Sequence, residues 1–167
     1  MRFGGIVLVT ALTLAACSSD PAPREPGPTR SASAAPTSTA TLPTMPPQAS
    51  EDSPEGAAAF VKHYVDVFNY AAATGDVDEL SRLSSPDCEG CQKYASKFRA
   101  IYSGGDRIAE KLWTLSDSDL LISRHMRVTA VINVNKGHGQ TQPYKFNFDL
   151  PNEAPFVVEQ LTLEETS

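Results

Sequence analysis

The stretch "MRVTAVINV", residues 126–134, decides the fold class. Met126, Val128, Ala130, Ile132 and Val134 point one way, and Arg127, Thr129 and Asn133 the other. A period of two is the mark of a half-buried strand. "YKFNFDL", residues 144–150, repeats it, with Tyr144, Phe146, Phe148 and Leu150 set against Lys145, Asn147 and Asp149. The polar stretch "NKGHGQTQP", residues 135–143, reads as the turn between them, giving an antiparallel hairpin. "EKLWTL" (110–115) and "PFVVEQLTL" (155–163) are weaker strand candidates. Pro143, Pro151 and Pro155 fall where strands end or lie at an edge, so they cost no ladder bond.

Working back from the hairpin, the period changes at Gly104-Gly105. Upstream, Ala57, Phe60, Val61, Tyr64, Val65, Phe68 and Ala72 recur at three and four residues, one face of a helix. Ser53-Pro54 supplies an N-cap with proline behind it, and Gly75 ends the helix. Asp76, with Glu79 three residues on, offers a capping box to a short second helix, "DVDELSRLS". Ser85-Pro86 repeats the cap-and-proline signal, so a third helix is expected to start there. Its apolar stripe is Cys91, Tyr94, Ala95, Phe98, Ile101 and Tyr102. Helices followed by a run of strands make an α+β domain, with three helices on an antiparallel sheet of about four strands.

The two ends of the chain speak of location. The N-terminus is "MRFGGIVLVTALTLAACSSD". Arg2 is a short positive region, and Phe3 to Ala16 is an apolar run too short to span a bilayer. Leu14-Ala15-Ala16-Cys17 resembles the lipobox of bacterial lipoproteins. The resemblance implies a signal peptide over 1–16, cleavage before Cys17, and acyl chains of the palmitate kind carried on its sulfur as a diacylglycerol thioether. It places the chain at the cell membrane, lipid-anchored on the extracytoplasmic face, held by lipid and not by a helix. Residues 18–52 carry eight of the thirteen prolines and eleven Ser or Thr. Such a segment buries too little to offset its ordering entropy, so 17–52 reads as a lipidated cysteine on a disordered tether. Residues 53–167 remain for a single domain. Loss of Arg2 moves the net charge from −6 to −7. With no basic stripe, nucleic acid is excluded as a partner.

Three N-terminal helices followed by a curved antiparallel sheet is the order of the nuclear transport factor 2-like cone, related in outline to cystatin-like α+β folds. "SPEGAAAFVKHYVDVFNYAAATGDVDELSRLSSPDCEGC", residues 53–91, is similar to an uncharacterised actinobacterial lipoprotein family in which an "N-x-A-x-x-T-G-D" turn precedes "C-x-x-C". That resemblance implies a cell-envelope address and a fold, and no reaction.

Cys88 and Cys91 are the two cysteines left once Cys17 is lipidated. At i, i+3 on a helix their Cα atoms come within disulfide range, and an exported chain meets an oxidising compartment. Three readings follow. A disulfide staple would pin the start of the third helix, worth roughly 2 kcal/mol. A redox pair would draw on the helix dipole, but Asp87 and Glu89 oppose the thiolate and a βαβ context is missing. A metal site needs more than two ligands, and His63, His125 and His138 have no partner spacing.

Other candidates are weak. Some cone proteins, such as ketosteroid isomerases, place an Asp and a Tyr in an apolar pocket. Tyr64, Tyr94 and Tyr144 lie on inward stripes and read as core. Asp66 and Asp149 lie off the apolar faces, so a general base has no candidate. His63 is expected at the boundary of the helical stripe, His138 exposed in a turn, and Trp113 in the core. No catalytic, cofactor-binding or metal-binding residue is assigned. The expected work is binding of an envelope partner or a small apolar ligand, the alternatives being thiol–disulfide exchange at Cys88/Cys91 or a small cone enzyme.

Overall fold

The structure, a computed structural model, describes residues 40–123 and 126–164, apart from the side chains of 116–119. The signal segment 1–16, Cys17, the tether up to residue 39 and His125 lie outside the described residues. The domain is α+β, three helices followed by a four-stranded antiparallel sheet in the order β1-β2-β3-β4.

Helix α1, Pro54–Thr74, has the ends its sequence announces. Ser53 Oγ accepts from the Gly56 amide at 3.0 Å, and Gly75 closes the helix in the left-handed region at φ 79°. The Tyr102 ring occupies the space a side chain at Gly75 would need, and the Tyr102 hydroxyl donates to the Ala72 carbonyl at 2.8 Å. The folded part begins before Ser53, however. Pro47–Ser50 forms a 3₁₀ turn whose Ala49 is 1% exposed against the core, with Met45 packed beside it. Two apolar residues suffice to dock the end of a segment that composition reads as tether throughout.

Helix α2, Asp78–Arg82, is not capped as expected. Asp76 Oδ1 accepts from the Asp78 amide, which sets the turn one residue earlier, while Glu79 pairs with Arg82. Helix α3, Glu89–Ser103, starts later than Ser85-Pro86. Ser85 instead makes a turn, its carbonyl accepting from the Cys88 amide, and Cys88 becomes the N-cap.

The strands are β1 Trp113–Ile122, β2 Arg127–Gly137, β3 Gln140–Asp149 and β4 Gln160–Leu163. The hairpin of 126–150 is present, but its turn is far shorter than the polar stretch 135–143. Gly137 pairs with Gln140, leaving His138 (φ 54°) and Gly139 (φ 72°) at the tip. Positive φ at both central residues gives the twist that suits a two-residue connection. The polar residues around it are strand, exposed at the far end of the sheet. Pro143 sits inside β3, where no neighbour needs its missing N–H, because β4 pairs only with Phe146–Asp149. The weaker candidates move as well. β1 runs on from Trp113 through a register shift between Leu115 and Leu120, and "PFVVEQLTL" contributes only its last four residues to β4. Before them, Val158 forms a parallel bridge to Ser84.

Val128, Ala130, Ile132, Phe146, Phe148 and Leu161 face the helices and are at most 6% exposed. Phe60, Tyr64 and Phe68 of α1 and Phe98 of α3 meet them. Trp113 stacks on Phe68 with centroids 3.6 Å apart and planes 13° from parallel. Tyr94 and Phe146 pack on other sides of the indole. The space between the helices and the sheet is therefore filled with aromatic side chains.

Candidate functional site

Cys88 and Cys91 are joined in a disulfide, with Cα atoms 5.3 Å apart. Cys88 is 0% exposed and Cys91 2%. Cys88 Sγ also accepts from the Cys91 amide at 3.2 Å, so the sulfur takes the place of a capping oxygen. Gly90 explains the middle of "CEGC": a Cβ there would strike the Leu161 carbonyl of β4. The motif thus lets the start of α3 press against the edge strand while the bridge holds its first turn closed. Sulfurs buried this deeply are out of reach of an attacking thiolate, which favours the staple over exchange. Among the described residues no group of three or more His, Cys, Asp or Glu could hold a metal. Cys88→Ser combined with Cys91→Ser is expected to keep the N-cap, because a serine hydroxyl accepts the same bond from the amide three residues on, and to remove only the cross-link. The melting temperature should fall by several degrees, about 1–2 kcal/mol, with the fold retained. No change in calorimetry would show that the bridge is not a staple.

The other sequence candidates scatter. Tyr64 is fully buried, its hydroxyl 3.2 Å from Ser84 Oγ, and burial pushes its pKa up to about 12. Tyr94 is half-buried against Trp113, and Tyr144 stands at the rim with its hydroxyl donating to Gln142. Asp66 is exposed, Asp149 holds Arg127 across the hairpin through two hydrogen bonds, and His138 is exposed at the turn. His63 departs from expectation. It is 3% exposed, and its Nε2 is buried without a hydrogen-bond partner.

Two features escape a reading by motif. Asn69 joins α1 to β1: its Nδ2 donates to the carbonyls of Val65 and Trp113, and its Oδ1 accepts from the amides of Leu112 and Trp113. It is the first residue of the "N-x-A-x-x-T-G-D" stretch, a polar residue at the margin of an apolar face, which is the one signal the sequence offers. The second is an apolar cleft of about 260 Å³ lined by Met45, Ala49, Ser50, Phe60, Arg82, Leu83, Pro155, Phe156 and Val157. Four separate segments build it, so no local pattern marks it. A wider hollow of about 600 Å³ lies by Arg127, Asp149, Asn152 and Glu159, but it is open and polar, and Arg127 and Asp149 already satisfy each other. Burial of apolar surface with a few polar groups at the rim is what gives a small ligand its affinity, and the cleft has that character.

A family model matches residues 30–160, most of the chain and all of the elements up to the start of β4. The chain belongs to DUF6318, a family of unknown function. No curated protein and no solved structure matches it. The DUF6318 match spans α1, α2, the disulfide and the hairpin as one unit, and it reaches back into the segment that carries Met45 and Ala49. No helix among the described residues is long and apolar enough to cross a membrane.

Proposed function

We propose that this DUF6318 protein is a cell-envelope lipoprotein of actinobacterial type, anchored through Cys17 on the extracytoplasmic face, whose folded domain works by binding and not by catalysis. The observation that carries the binding reading is the apolar cleft at the point where the tether meets the domain. Phe60 and Phe156 pack there with centroids 5.9 Å apart and planes tilted by 56°, and Arg82 lines it too. A small apolar ligand, or one apolar side chain of an envelope partner, matches its size and character. The core offers no inward carboxylate for general-base work among the described residues, and the sulfurs are buried.

One experiment with two arms tests this. The Cys17→Ala protein should leave the membrane fraction; its retention there would overturn the anchoring. Purified Cys17→Ala protein should bind 8-anilinonaphthalene-1-sulfonate saturably, and adding Ser50→Trp, which fills the cleft from its exposed edge, should weaken that binding about tenfold or more. Equal binding by both proteins would overturn the cleft as the site.

A further inference from the structure

His63 lies on α1 beside α2, close enough for Glu79 and Arg82 of α2 to act on its charge, with Asp66 acting from α1 itself. Burial of an imidazole whose Nε2 has no partner favours its neutral form, and here that outweighs the attraction of Glu79 and Asp66 for the charged one. Glu79, the carboxylate that acts on it most, is itself paired: Arg82 donates to it through both Nε and Nη2. Asp66 points to solvent. The element across the seam is short. α2 has five residues, Val77 at its N-cap offers no side-chain bond, and Ser81 Oγ on it is also buried without a partner, while Val77, Leu80 and Leu83 seat it on the core. Its C-terminal end supplies Arg82 and Leu83 to the wall of the apolar cleft.

We propose that the α1–α2 seam is an acid-opened latch, in which protonation of His63 expels α2 and removes one wall of the cleft. The gating of a ligand rests on the cleft reading above; the latch itself rests on the seam alone. Its direction follows from linkage. Burial holds the His63 imidazole below its ordinary 6.5, so the folded chain takes the proton less readily than the unfolded chain. The closed seam has its full stability above about pH 6.5 and loses it as pH falls through the folded value.

Hydrogen exchange read by mass spectrometry on the Cys17→Ala protein tests it, comparing peptides from α2 and α3 at about pH 7.5 and about pH 5.5 after correction for intrinsic rates. The α2 amides should open severalfold more at the lower pH relative to α3, as the linkage sign requires. His63→Gln should abolish that change, with His63→Leu as the second variant if the first does not fold, and His138→Gln should leave it intact. Unchanged α2 protection in the wild type, or acid opening that persists in both His63 variants, would overturn the latch. Opening of α2 with no loss of 8-anilinonaphthalene-1-sulfonate binding would overturn the cleft reading and leave the latch standing.

Discussion

Trp113→Ala is expected to lower the melting temperature by roughly 10–20 °C, a loss of about 3–5 kcal/mol. The indole is 2% exposed and lies where all the layers meet. Phe68 of α1 stacks on one face, Tyr94 of α3 meets it edge-on at 5.3 Å, and Phe146 of β3 is 4.7 Å away. Truncation leaves a void bordered by three rigid rings, each held by its own element, so the site has little freedom to collapse. Aromatic pairing adds a further part of the loss, about 0.5–1.5 kcal/mol for each pair beyond the area buried. Trp113→Phe should recover more than half, since a smaller ring still stacks on Phe68. Thermal unfolding followed by circular dichroism checks both. If alanine cost no more than phenylalanine, Trp113 would be a bystander to the packing, not its centre.

The parts of this fold that can be read in advance are those fixed by local chemistry. Ser53-Pro54 and Gly75 bound α1 because an N-cap hydroxyl and a left-handed glycine act within a few residues of themselves. The alternation of 126–134 and 144–150 places the hairpin because β2 over Val128–Ile132 and β3 over Phe146–Phe148 keep one face on the helices. The misreadings share a cause in tertiary contact. Ser85-Pro86 looks like another helix start, yet the backbone of Ser85 is drawn into a bond with Val158, and the helix waits for Cys88, whose disulfide and contact with β4 set the first turn. The "SDSD" run, poor in strand-forming residues, hides most of β1, which is strand because β2 pairs with it on both sides of the register shift. The Cys88–Cys91 pairing is legible from spacing, but its burial is not, since the turn that carries it packs at Gly90 against Leu161, far along the chain on β4. His63 escapes as well: its helical position is marginal on α1, and its burial appears only in the packed domain.

Asn69 carries the second large effect. Its side-chain amide has two donor hydrogens and two acceptor sites, and all are used on backbone groups of α1 and the start of β1. β1 is an edge strand, so the amide and carbonyl of Trp113 have this side chain as their partner on the outer side. Asn69→Ala leaves the Leu112 amide and both Trp113 groups unmet, at about 1–3 kcal/mol for each that stays dry, and a total near ~3 kcal/mol is expected. Asn69→Asp separates the hydrogen bonds from the packing. A carboxylate keeps the two acceptor sites but faces the carbonyls of Val65 and Trp113 with no hydrogen to offer. The folded state therefore favours the protonated acid, which raises its pKa above that of the unfolded chain. The sign follows: the folded aspartic acid gains relative stability as pH falls, so the gap between Asn69→Asp and wild type should narrow toward pH ~4, while the gap for Asn69→Ala stays constant. Urea unfolding of the three proteins at several pH values reads this directly, and each variant set against wild type at the same pH cancels the contribution of His63. An Asp gap that does not change with pH would show that the two donor bonds of Asn69 contribute nothing. A cost for alanine well below about 1 kcal/mol would show that β1 is held by its pairing to β2 and by Trp113 packing alone.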